Sequence, residues 1–307
     1  MIDTDLVHDR TLLKASGKAD ELSPLVRRLI APNPSPFTFT GTCSYIIGHG
    51  RVAIVDPGPE SPEQLAALLA AIQGETLEAI VITHTHRDHS PGARALKAAT
   101  GARIIGCAPH VEIKGDPSGR LDASHDMDYA PDDVMADGDI YAGAGFTLEA
   151  IHTPGHASNH LCFAIAQDLA MAGDGALLCG DHVMAWSTTI VAPPDGVMRD
   201  YMASLEKLGR REEALFYPGH GAPVQEPRRY MRALAHHRRM REQALLREIG
   251  KNALAIPALV DRVYSGLDER LKKAAALSVL AHMEDLVARN LVSAGGPATL
   301  EAIYSKV

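Results

Sequence analysis

The sequence His84-Thr85-His86-Arg87-Asp88-His89 places three imidazoles and one carboxylate within six residues. It directly follows residues 78–82, a short and mostly apolar run that predicts a strand. In an extended segment alternate side chains leave the backbone on the same side, so His84 and His86 can bind one metal ion. Asp88 and His89 lie where the chain turns into the next predicted helix, within reach of a second ion. We therefore interpret this motif as the start of a metal centre and not as a histidine-rich surface loop.

Three more ligand-type side chains stand at the ends of later predicted strands. They are His156 in Thr153-Pro154-Gly155-His156, Asp181 in Cys179-Gly180-Asp181, and His220 in Pro218-Gly219-His220-Gly221. Each of them alone would fit a structural histidine or a turn aspartate equally well. Strand ends are, however, where layered α/β folds form their active sites. Together the motifs predict one site with seven metal ligands: His84, His86, Asp88, His89, His156, Asp181 and His220.

Local signals around these motifs predict alternating strands and helices. Residues 37–55 predict a β-meander with strands at 37–40, 44–47 and 52–55. Ser61-Pro62 is typical of a helix start, and so is Ser90-Pro91, whose helix Gly101 would end. Residues 108–143 predict loops, and further strands are predicted at 146–151, 160–166, 176–179 and 214–217.

The C-terminal part of the sequence becomes helical. A strongly charged helix is predicted at 227–249, followed by helical patterns at 256–265 and 268–289 and by a small hairpin at 291–304. Short helices followed by a hairpin suggest a winged helix. We therefore predict a catalytic domain at 1–225, and a linking helix with a winged-helix-like domain at 226–307.

The combined motifs resemble those of the metallo-β-lactamase superfamily, whose five motifs all have a counterpart here. The resemblance implies an α/β fold, an αββα four-layer sandwich followed by a small C-terminal winged-helix-like helical domain. It implies that Asp56, at the end of its predicted strand, orients a ligand and does not itself bind metal. It also implies how the ligands divide: His84, His86 and His156 at the first metal, Asp88, His89 and His220 at the second, and Asp181 bridging both.

Within the superfamily, almost the whole chain is similar to the beta-lactamase-like protein 2 group. The similarity rests on motifs such as Ala31-Pro32-Asn33-Pro34-Ser35-Pro36-Phe37-Thr38 and Arg238-Arg239-Met240-Arg241-Glu242-Gln243. Cys43 departs from the pattern by standing where Asn is usual, and Trp186-Ser187 departs where glycine is more common. Because both departures are expected to border the pocket, the group's substrate is not carried over to this chain.

Charge and composition limit the possible classes of function. The 307 residues carry a formal net charge of −8. The segment from Glu226 onward has 14 Lys and Arg against 9 Asp and Glu, whereas the rest has 16 against 29. An acidic catalytic domain would repel a polyanion, and the basic segment only permits nucleic-acid binding. No apolar run approaches the ~18–20 residues of a membrane helix, no signal peptide is evident, and the four cysteines are widely spaced, so we expect a cytoplasmic protein.

The ligand set predicts a dinuclear metal-dependent hydrolase in which a metal-bridging hydroxide is the nucleophile. The resemblance implies an acyl ester or thioester as the substrate. Asp88 would hold that hydroxide and carry its proton to the leaving group. His160, four residues after His156, would donate to a substrate oxygen or pack behind the ligands. The expected cofactors are two divalent metal ions; zinc suits the ligands best, and iron or manganese is tolerated. The expected partner is a small-molecule acyl substrate, and the C-terminal segment could also form a homodimer.

Three other functions are compatible with parts of the sequence. Cleavage of single-stranded RNA is implied by the similar branch and agrees with the basic C-terminal segment. A non-catalytic metal-binding or regulatory protein agrees with a winged helix, but a decayed site would be expected to lose ligands. True β-lactamase activity fits least, because the zinc-dependent lactamases use a cysteine at the second metal, and here Asp181 takes that place.

Overall fold

The computed structural model describes residues 6–15, 17–111, 125–167, 175–264 and 266–307. Within these residues the larger of two main β-sheets is mixed, because its first three neighbour pairs are antiparallel and the last three are parallel. Its strands lie in chain order across the sheet: β1 (Asp20–Glu21), β2 (Val26–Ile30), β3 (Cys43–Ile47), β4 (Arg51–Val55), β5 (Thr76–Ile82), β6 (Arg103–Gly106) and β7 (Asp133–Val134).

The second main sheet is built from the later part of the chain. Its spatial order is β12-β11-β10-β9-β8, and only the β11–β12 pair is parallel. The strands are β8 (Ile140–Ala142), β9 (Phe146–His152), β10 (Leu161–Gln167), β11 (Ala176–Gly180) and β12 (Leu215–Pro218).

Helices cover both sheets and form most of the C-terminal segment. They are α1 (Pro62–Ala71), α2 (Gly92–Thr100), α3 (Met198–Gly209), α4 (Pro227–Lys251), α5 (Ile256–Val263), a short 3₁₀ helix (Glu269–Leu271) and α6 (Lys272–Ala288). None of the described helices combines the length and the apolar character that crossing a membrane requires.

The predicted helix boundaries in the first half of the chain are confirmed. The Ser61 hydroxyl accepts a hydrogen bond from the Gln64 amide at 3.2 Å, which satisfies one of the free donors at the start of α1. Gly101 ends α2 in the left-handed conformation, with φ of 77°, where a side chain would add strain.

The predicted strand at 37–40 is wrong, because these residues form turns. The Ser35 hydroxyl accepts hydrogen bonds from the backbone amides of Phe37 and Thr38, and the Thr38 hydroxyl donates to the Asn33 carbonyl. Such local side-chain bonds compete with strand pairing for the same backbone groups. The neighbour of β3 is instead β2, which pairs Leu29 with Ser44.

Successive side chains along the strands of the second sheet point to opposite faces, and both faces are buried. In β10, Phe163 and Ile165 pack in a cluster that contains the first sheet, α1 and α2. Cys162 and Ala164, on the opposite face, pack in a cluster that contains α3 and the first half of α4. The layers are therefore helices, sheet, sheet and helices, which confirms the expected αββα sandwich.

A third cluster forms the core of the C-terminal lobe. It joins the second half of α4, represented by Leu245 and Ile249, to α5, α6 and Tyr304. Two further strands, β13 (Val292–Ser293) and β14 (Ser305–Lys306), pair antiparallel in this lobe. Because α4 contributes to both cores, one helix connects the sandwich to the C-terminal lobe.

Candidate metal centre

Each predicted ligand lies in the chain shortly after the C-terminal end of a strand. The 84–89 motif follows β5, His156 follows β9, Asp181 follows β11, and His220 follows β12. Since β4 runs parallel to β5 and β11 runs parallel to β12, these carboxyl ends meet at one edge of the two sheets. The structure brings all seven predicted side chains together there.

The first group contains only imidazoles. His84, His86 and His156 are buried, and one nitrogen of each lies within 4.8 Å of the others. The closest approach joins His156 Nε2 to His86 Nδ1 at 3.0 Å. Three nitrogens converging on one point are suited to a zinc-type ion.

The second group contains two carboxylates and two imidazoles: Asp88, His89, Asp181 and His220. His220 Nε2 lies 3.1 Å from Asp88 Oδ2 and 3.3 Å from His89 Nε2. Asp181 Oδ2 lies 3.4 Å from His220 Nε2 and 3.6 Å from His156 Nε2, which belongs to the first group. Asp181 is therefore placed between the two groups.

These separations fit metal coordination. Zinc bonds of about 2.0–2.1 Å in a tetrahedron place neighbouring ligand atoms about 3.3 Å apart. The close contacts above, 3.0 Å in the first group and 3.1–3.4 Å in the second, lie near that value. Among the described residues, the buried atoms His84 Nε2 and Asp181 Oδ1 also lack a hydrogen-bond partner. Because an unsatisfied buried polar atom is costly, a bound cation would supply the missing interaction.

In four of the candidate ligand histidines, the second ring nitrogen has an oxygen partner that fixes the ring. Asp56 Oδ2 lies 2.9 Å from His89 Nδ1, and the Thr83 hydroxyl lies 2.9 Å from His84 Nδ1. His156 Nδ1 faces the carbonyl of Ile190 at 2.7 Å, and His220 Nδ1 faces that of Gly41 at 3.2 Å. Carbonyl and carboxylate oxygens only accept, so in His89, His156 and His220 the Nδ1 atom carries the proton and Nε2 presents its lone pair to the centre.

Asp56 is itself held in place by Thr83. The Thr83 amide donates to Asp56 Oδ1 at 2.9 Å, and the Thr83 hydroxyl donates to Oδ2 at 2.7 Å. Asp56 is buried next to His89 and does not belong to either of the two ligand groups above. This geometry agrees with the orienting role that the resemblance implied.

Burial and charge together set the protonation of the centre. Burial keeps the pKa of His84 and of His86 well below the usual histidine value, so both are neutral and able to bind metal. Burial alone would raise the pKa of Asp181, but His220 and His89 hold it well below its usual range. Burial would likewise lower the pKa of His220, yet Asp181 and Asp88 raise it to about 9. The two carboxylates therefore stabilise positive charge at this centre. Bound metal ions would supply that charge in place of protons.

His160 lies behind the ligands and is fully buried. Its Nε2 accepts a hydrogen bond from the Asp181 amide at 3.2 Å, and its Nδ1 lies 2.8 Å from the Thr153 hydroxyl. Both ring nitrogens are therefore engaged by the protein. Of the two sequence-based interpretations of His160, this arrangement supports packing behind the ligands.

The two positions that depart from the similar branch both lie beside the loop that carries His220. The buried Cys43 sulfur is 3.7 Å from the Gly221 carbonyl oxygen. Trp186 packs against Gly221, where an added Cβ would come within 2.8 Å of the indole. The Trp186 ring also stacks on Phe39, with ring centroids 4.8 Å apart.

Comparison with known proteins gives consistent matches. Residues 37–220 match the sequence profile of the metallo-beta-lactamase superfamily, and residues 255–297 match that of the beta-lactamase associated winged helix domain. The beta-lactamase-like protein 2 homolog of Drosophila melanogaster is 29% identical, with 86% of this chain and 88% of that protein covered. An atrochrysone carboxyl ACP thioesterase from Paecilomyces divaricatus is 31% identical, with 90% and 82% covered.

The fold is also shared with solved structures. A beta-lactamase domain protein from Burkholderia ambifaria superposes with a TM-score of 0.78 at 19% identity, covering 97% of this chain and 96% of that chain. A metallo-beta-lactamase family protein from Thermus thermophilus gives a TM-score of 0.74 at 22% identity, with 94% and 100% covered. With the superfamily profile spanning more than half of the residues, the chain belongs to the metallo-beta-lactamase superfamily and is a metal-dependent hydrolase.

Proposed function

We propose that the protein hydrolyses a small acyl thioester or ester with two divalent metal ions, zinc being the best match to the ligands. The observation that carries the proposal is the convergence of seven buried or partly buried ligand side chains on two adjoining points. The chemistry of the substrate is suggested by relatives that are named atrochrysone carboxyl ACP thioesterases, in Claviceps purpurea and in Paecilomyces divaricatus.

We assign the ligands as the resemblance divides them. His84, His86 and His156 would hold one ion, Asp88, His89 and His220 the other, and Asp181 would contact both. Bound ions of this kind lower the pKa of a water molecule from about 15.7 toward 7 and polarise the carbonyl under attack. The protein residues then have to orient the ions, exclude bulk water and move a proton.

Asp88 is the residue we propose for proton transfer. Its side chain is 23% exposed, whereas the imidazoles of His89 and His220 beside it are almost completely buried. A carboxylate at the open side of the centre can accept a proton from the attacking water and return it to the leaving thiolate or alkoxide. Burial would raise the pKa of Asp88, but His89 and His220 lower it, so the group starts as the base.

We assign His160 to positioning the bridging carboxylate. By accepting from the Asp181 amide, its ring fixes the backbone from which that carboxylate extends. The Thr153 hydroxyl in turn fixes the ring. This role needs no contact between His160 and the substrate.

A substrate panel tests the proposal. The metal-loaded protein is assayed with acyl thioesters, acyl esters and a fluorogenic single-stranded RNA, before and after chelation, and elemental analysis identifies the metal. We expect chelator-sensitive thioester or ester hydrolysis that falls more than about 100-fold in Asp181→Ala. His49→Ala, which removes an exposed histidine bonded to the Pro24 carbonyl, serves as the matched control and should keep full activity. RNA cleavage without acyl hydrolysis would reject the proposed substrate class in favour of a nuclease.

A further inference from the structure

A surface cavity of about 620 Å³ lies in the C-terminal lobe, between α4, α5 and the residues that follow α5. Three arginines line it: Arg241 and Arg247 from α4, and Arg262 from α5. None of the described residues that line it belongs to the metal centre. Sites for small molecules typically have volumes of roughly 300–1,000 Å³, so this cavity has room for more than a single inorganic ion.

Positive charge in this cavity is not balanced by the protein. Glu248 is the single carboxylate among the described lining residues, and it is shared by Arg262 at 3.4 Å and Lys251 at 2.5 Å. No ion pair joins Arg241 or Arg247 to any carboxylate in the described part of the chain. Concave walls that carry one sign of charge concentrate the opposite charge from solution. The cavity should therefore attract an anion.

Arg241 is held in position by the protein itself. Its Nη1 donates to the Val263 carbonyl at 2.7 Å, and its guanidinium carbon lies 3.9 Å from the centroid of the Tyr264 ring. Its Nε is buried and has no hydrogen-bond acceptor among the residues that the structure describes. A buried donor without an acceptor is costly, and an oxygen of a bound anion would remove that cost.

The chemistry of the lining indicates which anion fits. A planar guanidinium group matches the paired oxygens of a phosphate and binds them through parallel hydrogen bonds. The two unbalanced charges of Arg241 and Arg247 suit a phosphate dianion better than a singly charged carboxylate. Val263, Tyr264 and Leu267 add apolar and aromatic surface beside the guanidinium groups, which suits a phosphate that carries an organic part.

We propose that this cavity binds an organic phosphate, a phosphate monoester whose apolar part lies beside Val263 and Leu267. Arg241 and Arg247 hold the phosphate oxygens. Arg262 stays paired with Glu248 and closes the side of the cavity formed by α5. The site is separate from the hydrolytic centre, so it is a second binding function of the chain and does not depend on the acyl substrate.

Isothermal titration calorimetry with phenylphosphonate tests the site. This compound cannot be hydrolysed as an ester, and it joins a phosphonate group to an apolar ring. The full-length, zinc-loaded chain should bind it, and Arg247→Gln should bind it at least about 10-fold more weakly, since a hydrogen bond to a charged group is lost. Arg247 is exposed, so thermal unfolding of the variant should match the wild type. Arg239→Gln changes an exposed arginine of α4 outside the cavity; as the matched control, it should keep wild-type affinity.

A further variant separates this site from the metal centre, because zinc ions also attract phosphonates. Asp181→Ala weakens the dinuclear centre and should keep the binding that depends on Arg247. Equal affinities of Arg247→Gln and Arg239→Gln, or loss of binding in Asp181→Ala alone, would overturn the proposal. Binding of single-stranded RNA through Arg247, with no binding of phenylphosphonate, would reject a small phosphate in favour of a nucleic-acid surface.

Discussion

At the scale of single residues, the metal centre depends on what holds the far side of each imidazole. His89, His156 and His220 each place Nδ1 against a fixed oxygen, which leaves Nε2 as the atom that can bind metal. Those oxygens come from a carboxylate after β4, a carbonyl in the loop before α3, and a carbonyl before β3. Metal affinity should therefore respond to residues that never contact the ion.

Asp56→Asn tests this dependence. Asp56 accepts from the Thr83 amide, the Thr83 hydroxyl and His89 Nδ1, and an amide has only one oxygen to replace two. We expect zinc affinity to fall by about 10- to 100-fold, measured by competition with a chromogenic chelator. The control is Asp261→Asn in the C-terminal lobe, an exposed aspartate that should leave affinity unchanged. Equal affinity for both variants would contradict the orienting role.

His282 makes a prediction about acid stability. It is buried in α6, and among the described residues neither ring nitrogen has a hydrogen-bond partner. Burial, with Arg238 and Arg241 nearby, lowers its pKa to about 3. Between pH 6.5 and 3 the unfolded state therefore binds a proton that the folded state does not, and stability falls as pH falls, by up to about 1.4 kcal/mol per pH unit.

Replacing the ring measures that contribution. His282→Leu removes the titrating group at similar size, so its free energy of unfolding in denaturant should decline less steeply between about pH 6.5 and 4 than that of the wild type. His236→Leu, on the more exposed face of α4, is the control and should keep the wild-type slope. Identical slopes for all three proteins would show that His282 does not titrate as its burial requires.

The candidate ligands could be recognised from sequence, whereas most of the groups that hold them in place could not. His84, Asp181 and His220 could be recognised because each belongs to a short motif that ends an apolar strand. The carbonyls of Ile190 and Gly41 carry no signal of residue type, since every residue has a carbonyl. Their roles follow only from where two distant loops bring the backbone.

At the scale of elements, the loop after β9 depends on close contact with α3. Gly155, with φ of 133°, precedes His156, and a Cβ at this position would lie 2.3 Å from the backbone of Tyr201 in α3. The Gly155 carbonyl also accepts a hydrogen bond from the Val197 amide at the start of that helix. Packing of this loop on α3 thus positions His156, the third residue of the first candidate group.

Gly155→Ala should displace His156. The added methyl group must push the loop from α3, so we expect lower zinc affinity and a lower melting temperature, measured by dialysis and by circular dichroism. Gly209→Ala at the end of α3 is the matched control, because nothing lies within 4 Å of its added Cβ. A Gly155→Ala variant with wild-type metal binding would mean that the loop is not tightly packed in solution.

The elements also show which local signals were reliable. Strong caps at Ser61 and Gly101 predicted α1 and α2, because capping depends on nearby residues alone. The sequence of β2 gave no comparable signal, because Arg27 and Arg28 interrupt its apolar pattern. Its strand structure depends on pairing with β3, which lies later in the sequence. In the sheet, β2 therefore occupies the position beside β3 that was predicted for a strand at 37–40.

At the scale of the whole molecule, α4 links the C-terminal lobe to the metal centre. Its buried Arg238 donates to the Thr189 carbonyl and stacks over the Tyr201 ring at 5.0 Å. The Thr189 hydroxyl lies 2.8 Å from the carbonyl oxygen of Asp181. The lobe therefore supports the loop that follows Asp181, the proposed bridging carboxylate. The predicted homodimer and the predicted division at residues 225 and 226 stay predictions.

Arg238→Gln tests this link. Loss of a charged hydrogen bond in a buried position should lower the free energy of unfolding by about 2–3 kcal/mol, measured by chemical denaturation. It should also weaken zinc binding, because the 181–190 loop loses its support from α4. The neighbouring Arg239 is exposed, so Arg239→Gln should change neither quantity. Destabilisation without any change in zinc affinity would show that the lobe does not support the centre.

In the proposed centre, residues from 84 to 220 hold two metal ions in contact with one carboxylate. Anomalous X-ray diffraction from zinc-loaded crystals, collected on both sides of the zinc absorption edge, tests it most directly. We expect two strong peaks flanking the Asp181 carboxylate, one among His84, His86 and His156 and the other among Asp88, His89 and His220. A single peak, or none within bonding distance of these side chains, would contradict it.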